Sequence, residues 1–255
     1  MKVARLAIIL ELAGTGLWGA GKETFEADMT TYKLPYLTES NEVLKLPAIP
    51  GSYIKGLLRT VAYKIAGLLI NAGLVDGVDP IAQRCWVGST CGKCVVCQIF
   101  GSSGQYQSSV YVSHFYPVKK EALAQLKNVL WHEFDVDELV NRQLSLTRLN
   151  LTQLAHVKID NRSWKAEEGG LFVIERVKPK ATFLGEIRLY KAFIPSGNLS
   201  LLHALRLILL SLAQLNYTFV GRRTRAKISL LKYKPPQISQ DSVCKEVLND
   251  LEWRA

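Results

Sequence analysis

The order of its six apolar segments most restricts the fold of this chain. Four are short, β-rich runs typical of strands, and two carry apolar residues at the spacing of a buried helix face. We predict strands at residues 3–12, 109–117, 181–192 and 225–233, and helices at residues 52–73 and 198–216. In chain order this is strand, helix, strand, strand, helix, strand, which predicts an α+β, ferredoxin-like (RRM-like) fold of the kind that RNA-recognition modules share.

Long segments between these elements predict insertions into a single domain that covers residues 1–255. The body of the domain takes in about residues 1–13, 48–75, 108–118 and 180–235. In the first insertion, residues 14–47, the apolar residues follow no clear period over most of its length, which predicts a loop or ribbon. The second, residues 76–107, is rich in cysteine, and the third, residues 135–175, is largely polar, basic and rich in turn residues and predicts a long hairpin.

The balance of charge favours a polyanionic partner. The chain has 32 Lys and Arg residues against 22 Asp and Glu residues, which gives a formal net charge of +10 and a pI near 9.4. On charge alone, a nucleic-acid partner is only slightly favoured over a soluble basic protein without one.

The apolar runs do not predict a signal peptide or a membrane span. Glu11 interrupts the first run, and the run at residues 199–215 contains His203, Arg206 and Gln214. Charged and polar residues within such a run are typical of a buried helix rather than of a bilayer span. We therefore expect a cytoplasmic protein with no membrane partner.

Four cysteines, Cys85, Cys91, Cys94 and Cys97, crowd into thirteen residues. In a reducing compartment this clustering favours a zinc site over disulfides or free thiols. Four protein ligands leave no open coordination position, so the predicted role of the zinc is structural. His114 is an alternative to Cys85 as the fourth ligand.

The start of the first predicted helix is one candidate phosphate site. A Pro-Gly-Ser turn leads into it, Ser52 is the predicted N-cap, and free N–H groups at a helix start attract anions. Lys55 and Arg59 are four residues apart and share one helix face, from which they would meet phosphate oxygens. From chemistry alone, an ordinary capped helix with two solvated cations is equally compatible.

Two further basic stretches are candidates for RNA contact. Residues 221–234 hold six basic residues and no acidic one, and Arg222, Arg223 and Arg225 suit bidentate phosphate contacts better than a merely solvated charge run. The third insertion, residues 135–175, is called the polar arm. In it, His156 is a general acid or base, a stacking group or a surface residue, and Lys158 lies two residues beyond it.

One acidic stretch, residues 23–28, precedes the first helix. Glu26 and Asp28 fall on the same side if this segment is extended. A carboxylate beside a bound RNA phosphate could hold a divalent cation or assist attack by a 2′-hydroxyl. Taken alone, a solvent-facing acidic loop explains the stretch better.

Several of these segments resemble one protein family. Residues 49–59 read IPGSYIKGLLR, residues 94–101 read CVVCQIFG, and HVKID and EGGLF follow at residues 156–160 and 168–172. Together with the basic turn at residues 221–226, they are similar to motifs of the RAMP superfamily of CRISPR-associated proteins. More narrowly, the chain resembles the repeated backbone subunit of type III (Csm/Cmr) effector complexes.

The resemblance implies a hand-like fold, in which a ferredoxin-like palm carries a zinc-stabilised insertion and a β-hairpin thumb. Copies of such a subunit, or its paralogues, stack along a guide CRISPR RNA beside other subunits, and each thumb enters the duplex of guide and single-stranded target RNA. Asp28 matches the aspartate that supports target cleavage with Mg²⁺ or Mn²⁺ in this family. His156 and Lys158 match its thumb, and Arg222, Arg223 and Arg225 match its glycine-rich loop.

Two departures from the family pattern keep alternatives open. Residues 34–48 lengthen the loop that follows Asp28, and arginines replace glycines in the basic turn. A non-catalytic RNA-binding scaffold in the same complex is therefore the first alternative to a metal-dependent endoribonuclease. A guide-RNA-processing endoribonuclease is the second, and it ranks last because its chemistry favours a positioned His or Lys pair, whereas the four histidines are scattered.

Overall fold

The computed structural model describes residues 2–19, 27–37, 43–86, 88–141, 145–195, 199–221 and 224–254. The strands are β1 (Val3–Leu12), β2 (Lys33–Leu37), β3 (Val43–Pro47), β4 (Val110–Val112), β5 (Tyr116–Pro117), β6 (Leu151–Ile159), β7 (Ala166–Val177), β8 (Thr182–Tyr190) and β9 (Ala226–Lys234). The helices are α1 (Gly51–Asn71), α2 (Val95–Phe100), α3 (Leu123–Val129), α4 (Val136–Asn141), α5 (Leu201–Leu215) and α6 (Ser242–Leu251). The described residues contain no helix with both the length and the apolar character needed to cross a bilayer.

A central antiparallel sheet organises the chain. Its strand order is β4–β8–β1–β9, and β5 pairs with the first part of β8. The central strand β1 runs from Val3↔Tyr190 to Glu11↔Thr182 against β8, and a bulge at Ala7 interrupts its pairing with β9. Because helices or other segments cover both faces of this sheet, β1 is an almost continuous apolar run.

The two faces of the sheet belong to two separate apolar cores. Leu6, Ile8 and Leu10 point to the core that α1, α5 and α6 cover. Ala7 and Ile9 point to the opposite face, where α3, α4 and the β2–β3 hairpin form a second core. The residues between the first strand and the first helix, expected as a loop or ribbon, thus contain a hairpin that packs on the sheet.

The predicted N-cap of α1 is wrong. The helix begins at Gly51 with Pro50 in the N-cap position, and Ser52 lies exposed in its first turn and provides no cap. A Cβ at position 51 would lie 2.2 Å from the carbonyl oxygen of Val112, so only glycine fits this close approach. The Gly51 N–H donates instead to Nδ1 of His114, at 3.4 Å.

The strand predicted at residues 109–117 is divided into β4 and β5. Between them, Phe115 pairs through its backbone with Ile49, which immediately precedes α1. Its ring lies over Gly185 of β8, where a Cβ would come within 2.2 Å of the ring. The pairing of Phe115 with Ile49 therefore separates β4 from β5, and it holds the segment that leads into α1.

Arg206 of α5 joins three helices. Its Nη1 donates to the carbonyl oxygen of Leu74, just after α1, at 2.9 Å. Its Nη2 lies 2.5 Å from Oδ2 of Asp241, the N-cap residue of α6, whose Oδ1 accepts the Cys244 N–H at 2.9 Å. The Arg206 hydrogen bond holds the pKa of Asp241 at about 2, well below its ordinary value.

Candidate functional site

The four clustered cysteines form one potential metal centre. Their sulfur atoms all lie within 4.8 Å of one another, and those of Cys85 and Cys97 are 3.4 Å apart. A tetrahedral zinc ion with bonds of about 2.3 Å needs sulfurs about 3.8 Å apart. The donor set and its spacing therefore fit zinc, as the sequence predicted.

Backbone N–H groups prepare this cluster for a cation. The N–H groups of Cys91 and Cys94 donate to the sulfurs of Cys85 and Cys91, each at 3.3 Å. Burial raises the pKa of Cys85 and Cys94, whereas at Cys97 hydrogen bonds, the largest from the Gly92 backbone, outweigh burial and lower the pKa to about 7. Such contacts stabilise thiolates, the form in which cysteine binds metal.

Of the two residues that the sequence offered as the fourth ligand, Cys85 lies within the cluster and His114 lies outside it. Its Nδ1 accepts the N–H of Gly51, and its ring stacks on Tyr32 with centroids 5.8 Å apart. The sulfur of Cys85 also donates to the hydroxyl of Tyr63 on α1, at 3.4 Å, so the metal centre contacts that helix directly.

Arg59 turns towards the cysteine cluster. Its Nη2 donates to the Gly101 carbonyl oxygen at 3.0 Å and to the Tyr63 hydroxyl at 3.2 Å, and lies 3.9 Å from the sulfur of Cys97. The guanidinium is thus engaged with protein groups. Its predicted contact with phosphate stays a prediction, and its described contacts connect α1 to the cysteine insertion.

Lys55 is a cation near the start of α1 that is available to a ligand. It is half-buried, and within the described parts of the chain no acidic side chain pairs with it. Burial, followed by repulsion from Arg59, lowers its pKa. Ser52 and Gly56 beside it are exposed, and a Cβ at Gly56 would meet no atom within 4 Å. The surface around Lys55 is therefore open enough for a polynucleotide backbone.

Asp28 lies against the β6–β7 hairpin. Its N–H donates to the Val173 carbonyl oxygen at 3.0 Å, and its Oδ2 accepts the Val173 N–H at 2.6 Å. The residue is exposed, and among the described residues it belongs to no group of three or more metal-binding side chains. Glu26, its predicted neighbour, lies outside the described residues.

The polar arm is the predicted hairpin, formed by β6 and β7. His156 stacks on Phe172 across the two strands with centroids 5.5 Å apart, and its Nε2 is buried without a hydrogen-bond partner. Lys158 is exposed and pairs with Glu167 at 2.7 Å. Both residues therefore have partners within the hairpin, and their predicted contacts with RNA stay predictions.

The basic turn is described on both sides of Arg222 and Arg223, which themselves lie outside the described residues. Gly221 and Thr224 pair as an antiparallel bridge, and the Val220 N–H donates to the Thr224 carbonyl oxygen at 2.8 Å. Arg225 is exposed, with its guanidinium 5.4 Å from the ring centroid of Phe219.

Residues 13–19 bring the basic turn to the base of the hairpin. The Ala13 N–H donates to the carbonyl oxygen of Arg225 at 2.9 Å. The Thr224 hydroxyl donates to the carbonyl oxygen of Thr15 at 2.5 Å. Gly16 exchanges two backbone hydrogen bonds with Val177 at the end of β7, at 2.9 and 2.8 Å. Residues 13–19 therefore link two predicted RNA-binding regions, the basic turn and the β6–β7 hairpin.

The same segment continues to the start of α1. The Tyr32 N–H donates to the Trp18 carbonyl oxygen at 2.6 Å, and the Tyr32 ring stacks on His114, which accepts the Gly51 N–H. A continuous series of contacts thus joins the basic turn, the hairpin base and the start of α1. Sequence reasoning missed Tyr32, Trp18 and Phe219, although an aromatic residue beside a basic run, as at Phe219, was a detectable signal.

Comparison with known families adds an independent finding. A model described as the RAMP superfamily matches residues 14–226, which is most of the chain and includes the cysteine cluster, the hairpin and the basic turn. No curated protein matches the chain.

Proposed function

We infer a function from the fact that this chain belongs to the RAMP superfamily, whose members bind CRISPR RNA and work in multi-subunit complexes. We propose that it is a guide-RNA-binding backbone subunit of a type III CRISPR effector complex. In that role it would contact copies of itself or paralogues, other subunits, and a single-stranded target RNA.

The observation that carries this proposal is the series of contacts through residues 13–19. It connects the basic turn, the base of the β6–β7 hairpin and the start of α1, which the sequence separates widely. Phosphate contacts from such separate segments can fix the course of one strand of RNA across a protein surface. The proposed contacts are Ser52 and Lys55 on α1, His156 and Lys158 on the hairpin, and Arg222, Arg223 and Arg225 in the turn.

The topology supports a ferredoxin-like palm. Counting β4 and β5 together as the second strand, the sheet order is second, third, first, fourth, with α1 and α5 on one face. This is the order that a strand-helix-strand-strand-helix-strand chain adopts in that fold. The β6–β7 hairpin then takes the place of the thumb, and the cysteine insertion with a bound zinc ion would support α1.

Target cleavage is the finer part of the proposal and depends on Asp28. Its exposed carboxylate has the oxygen donors that Mg²⁺ and Mn²⁺ prefer. Such an ion would stabilise negative charge on the target phosphate. The hydrogen bond from the Val173 N–H fixes the carboxylate beside the hairpin, so Asp28 would sit where a thumb displaces a target nucleotide.

Salt-dependent RNA binding tests the proposed surface. Lys55→Ala should weaken binding to a single-stranded RNA and reduce the slope of log affinity against log salt by about 1, because one phosphate contact is lost. Fluorescence anisotropy with a labelled oligoribonucleotide measures both quantities.

The matched control is Lys245→Ala, which removes an exposed lysine from α6 on another part of the chain. It should leave the slope unchanged. An unaltered slope for Lys55→Ala would remove α1 from the proposed RNA surface, and no RNA binding by the unaltered chain at low salt would contradict the proposed function as a whole.

A further inference from the structure

We infer that Tyr217, Phe219 and Arg225 form a platform on which an unpaired RNA base stacks, next to the basic turn. The inference rests on the proposed function, because it presumes that RNA crosses this surface. It adds to that function a means of holding bases, whereas the other proposed contacts of the basic turn are with phosphates.

The first observation is the exposure of two aromatic side chains. Tyr217 is 79% exposed and Phe219 is 55% exposed, directly after the end of α5. Leaving two aromatic rings in water forgoes the free energy that their burial would contribute. Exposed aromatic side chains of this kind are how single-strand-binding surfaces receive bases, since every base has a π-face.

The second observation is that the turn carrying these rings is anchored at both ends. The side chain of Asn216 bonds the backbone of Ile228 twice, accepting its N–H at 2.6 Å and donating to its carbonyl oxygen at 3.2 Å. Val220, on the other side of Phe219, is fully buried and bonds to Thr224. The rings are therefore presented on a fixed turn, which lowers the entropy cost of binding a base.

The third observation is the charge of the sequence that flanks the rings. The Arg225 guanidinium lies over the Phe219 ring at 5.4 Å, and the sequence has no acidic residue between Glu186 and Asp241. A guanidinium in this position can contact the phosphate of the nucleotide whose base stacks on the ring. Residues 221–234, just after Phe219, hold six basic residues and no acidic one, and such a run favours a polyanionic ligand.

The fourth observation is the position of the platform. The carbonyl oxygen of Arg225 accepts the Ala13 N–H, and the neighbouring Thr224 hydroxyl bonds to Thr15. The platform therefore borders the segment that leads to the hairpin and α1. A strand that crosses this segment would pass beside the rings.

The test compares RNA that has bases with a strand of equal length that has none. Phe219→Ala should lower the affinity for a labelled oligouridylate about tenfold and leave the affinity for the abasic strand unchanged. The salt slope should stay the same, because no charge is removed. Tyr217→Ala should act in the same direction. Phe193→Ala, which removes a 41% exposed phenylalanine elsewhere on the surface, is the matched control and should change neither affinity.

Each other outcome overturns the platform in a distinguishable way. If the unaltered chain binds neither strand at low salt, the proposed function fails and the platform fails with it. If the unaltered chain binds oligouridylate and Phe219→Ala binds it equally well, the function stands and the platform does not. If Phe219→Ala binds RNA normally but self-associates less in sedimentation, the rings belong to a contact between protein copies.

Discussion

At the scale of single residues, Asp28 and Arg59 show how position changes the role that a charge can take. The sequence made Asp28 a candidate for metal-dependent cleavage and Arg59 a candidate for phosphate contact. Asp28 is exposed beside the hairpin, where a target phosphate could reach it. Arg59 instead contacts Gly101, Tyr63 and Cys97, so its charge is used within the protein.

Replacing Asp28 separates cleavage from binding. We expect Asp28→Ala to abolish Mg²⁺- or Mn²⁺-dependent cleavage of target RNA by the assembled complex and to leave RNA affinity intact, since an exposed carboxylate repels rather than attracts phosphate. Gel analysis of labelled target RNA measures the cleavage. Asp28→Asn, which keeps an acceptor for the Val173 N–H, should be equally inactive, and undiminished cleavage in both variants would favour the non-catalytic scaffold.

At the scale of elements, α1 and the cysteine insertion behave as one unit. Tyr63 and Arg59 project from successive turns of α1 into the cysteine cluster, and Arg59 also holds the residue that follows α2. Groups that hydrogen-bond to metal ligands tune metal affinity without binding the metal themselves. The zinc site proposed here would therefore also determine how firmly α1 is held.

Removing the Arg59 side chain tests this unit. Arg59→Ala should weaken zinc binding about tenfold, because contacts around metal ligands typically contribute this much. Competition with a colorimetric zinc chelator measures the change. Lys64→Ala, at an exposed position on the same helix, is the control and should have no effect. Normal zinc affinity combined with a reduced salt slope of RNA binding would restore Arg59 to the phosphate role that the sequence suggested.

At the scale of the whole molecule, Arg206 and Asp241 tie the C-terminal helix to the rest of the fold. Asp241 titrates near pH 2 in the folded state and near 3.8 when unperturbed, so its contribution to stability is complete above pH 3.8 and is lost as the pH falls through 2. The shift corresponds to about 2 kcal/mol at neutral pH for this nearly buried pair.

Asp241→Asn should therefore destabilise the protein by up to about 2 kcal/mol at pH 7 and by about half as much at pH 3. Asparagine retains the ability to cap α6, so the loss is that of the ion pair. Denaturant unfolding at the two pH values measures it. Asp250→Asn, at an exposed position of α6, provides the comparison, and an equal loss at both pH values would exclude the ion pair as the cause.

How much the sequence predicted depended on the range of the interactions involved. The apolar periods of β1, α5 and β9 identified those elements, because burial on a sheet or helix face imposes a local pattern. The cysteine site followed from local spacing as well. The capping of α1 by His114 and the inward turn of Arg59 could not be predicted, since each depends on a partner more than 35 residues away.

The close packing of the Phe115 ring on Gly185 restricts which substitutions this protein can accept at position 185. The ring occupies the space that a side chain at position 185 would need, and the backbone of Phe115 in turn holds Ile49. The position of the segment that leads into α1, the helix that carries Lys55, thus depends on the absence of a side chain at Gly185 in β8. A larger residue at position 185 would therefore require Phe115 to move or to become smaller, and either change would disturb the segment that leads into α1.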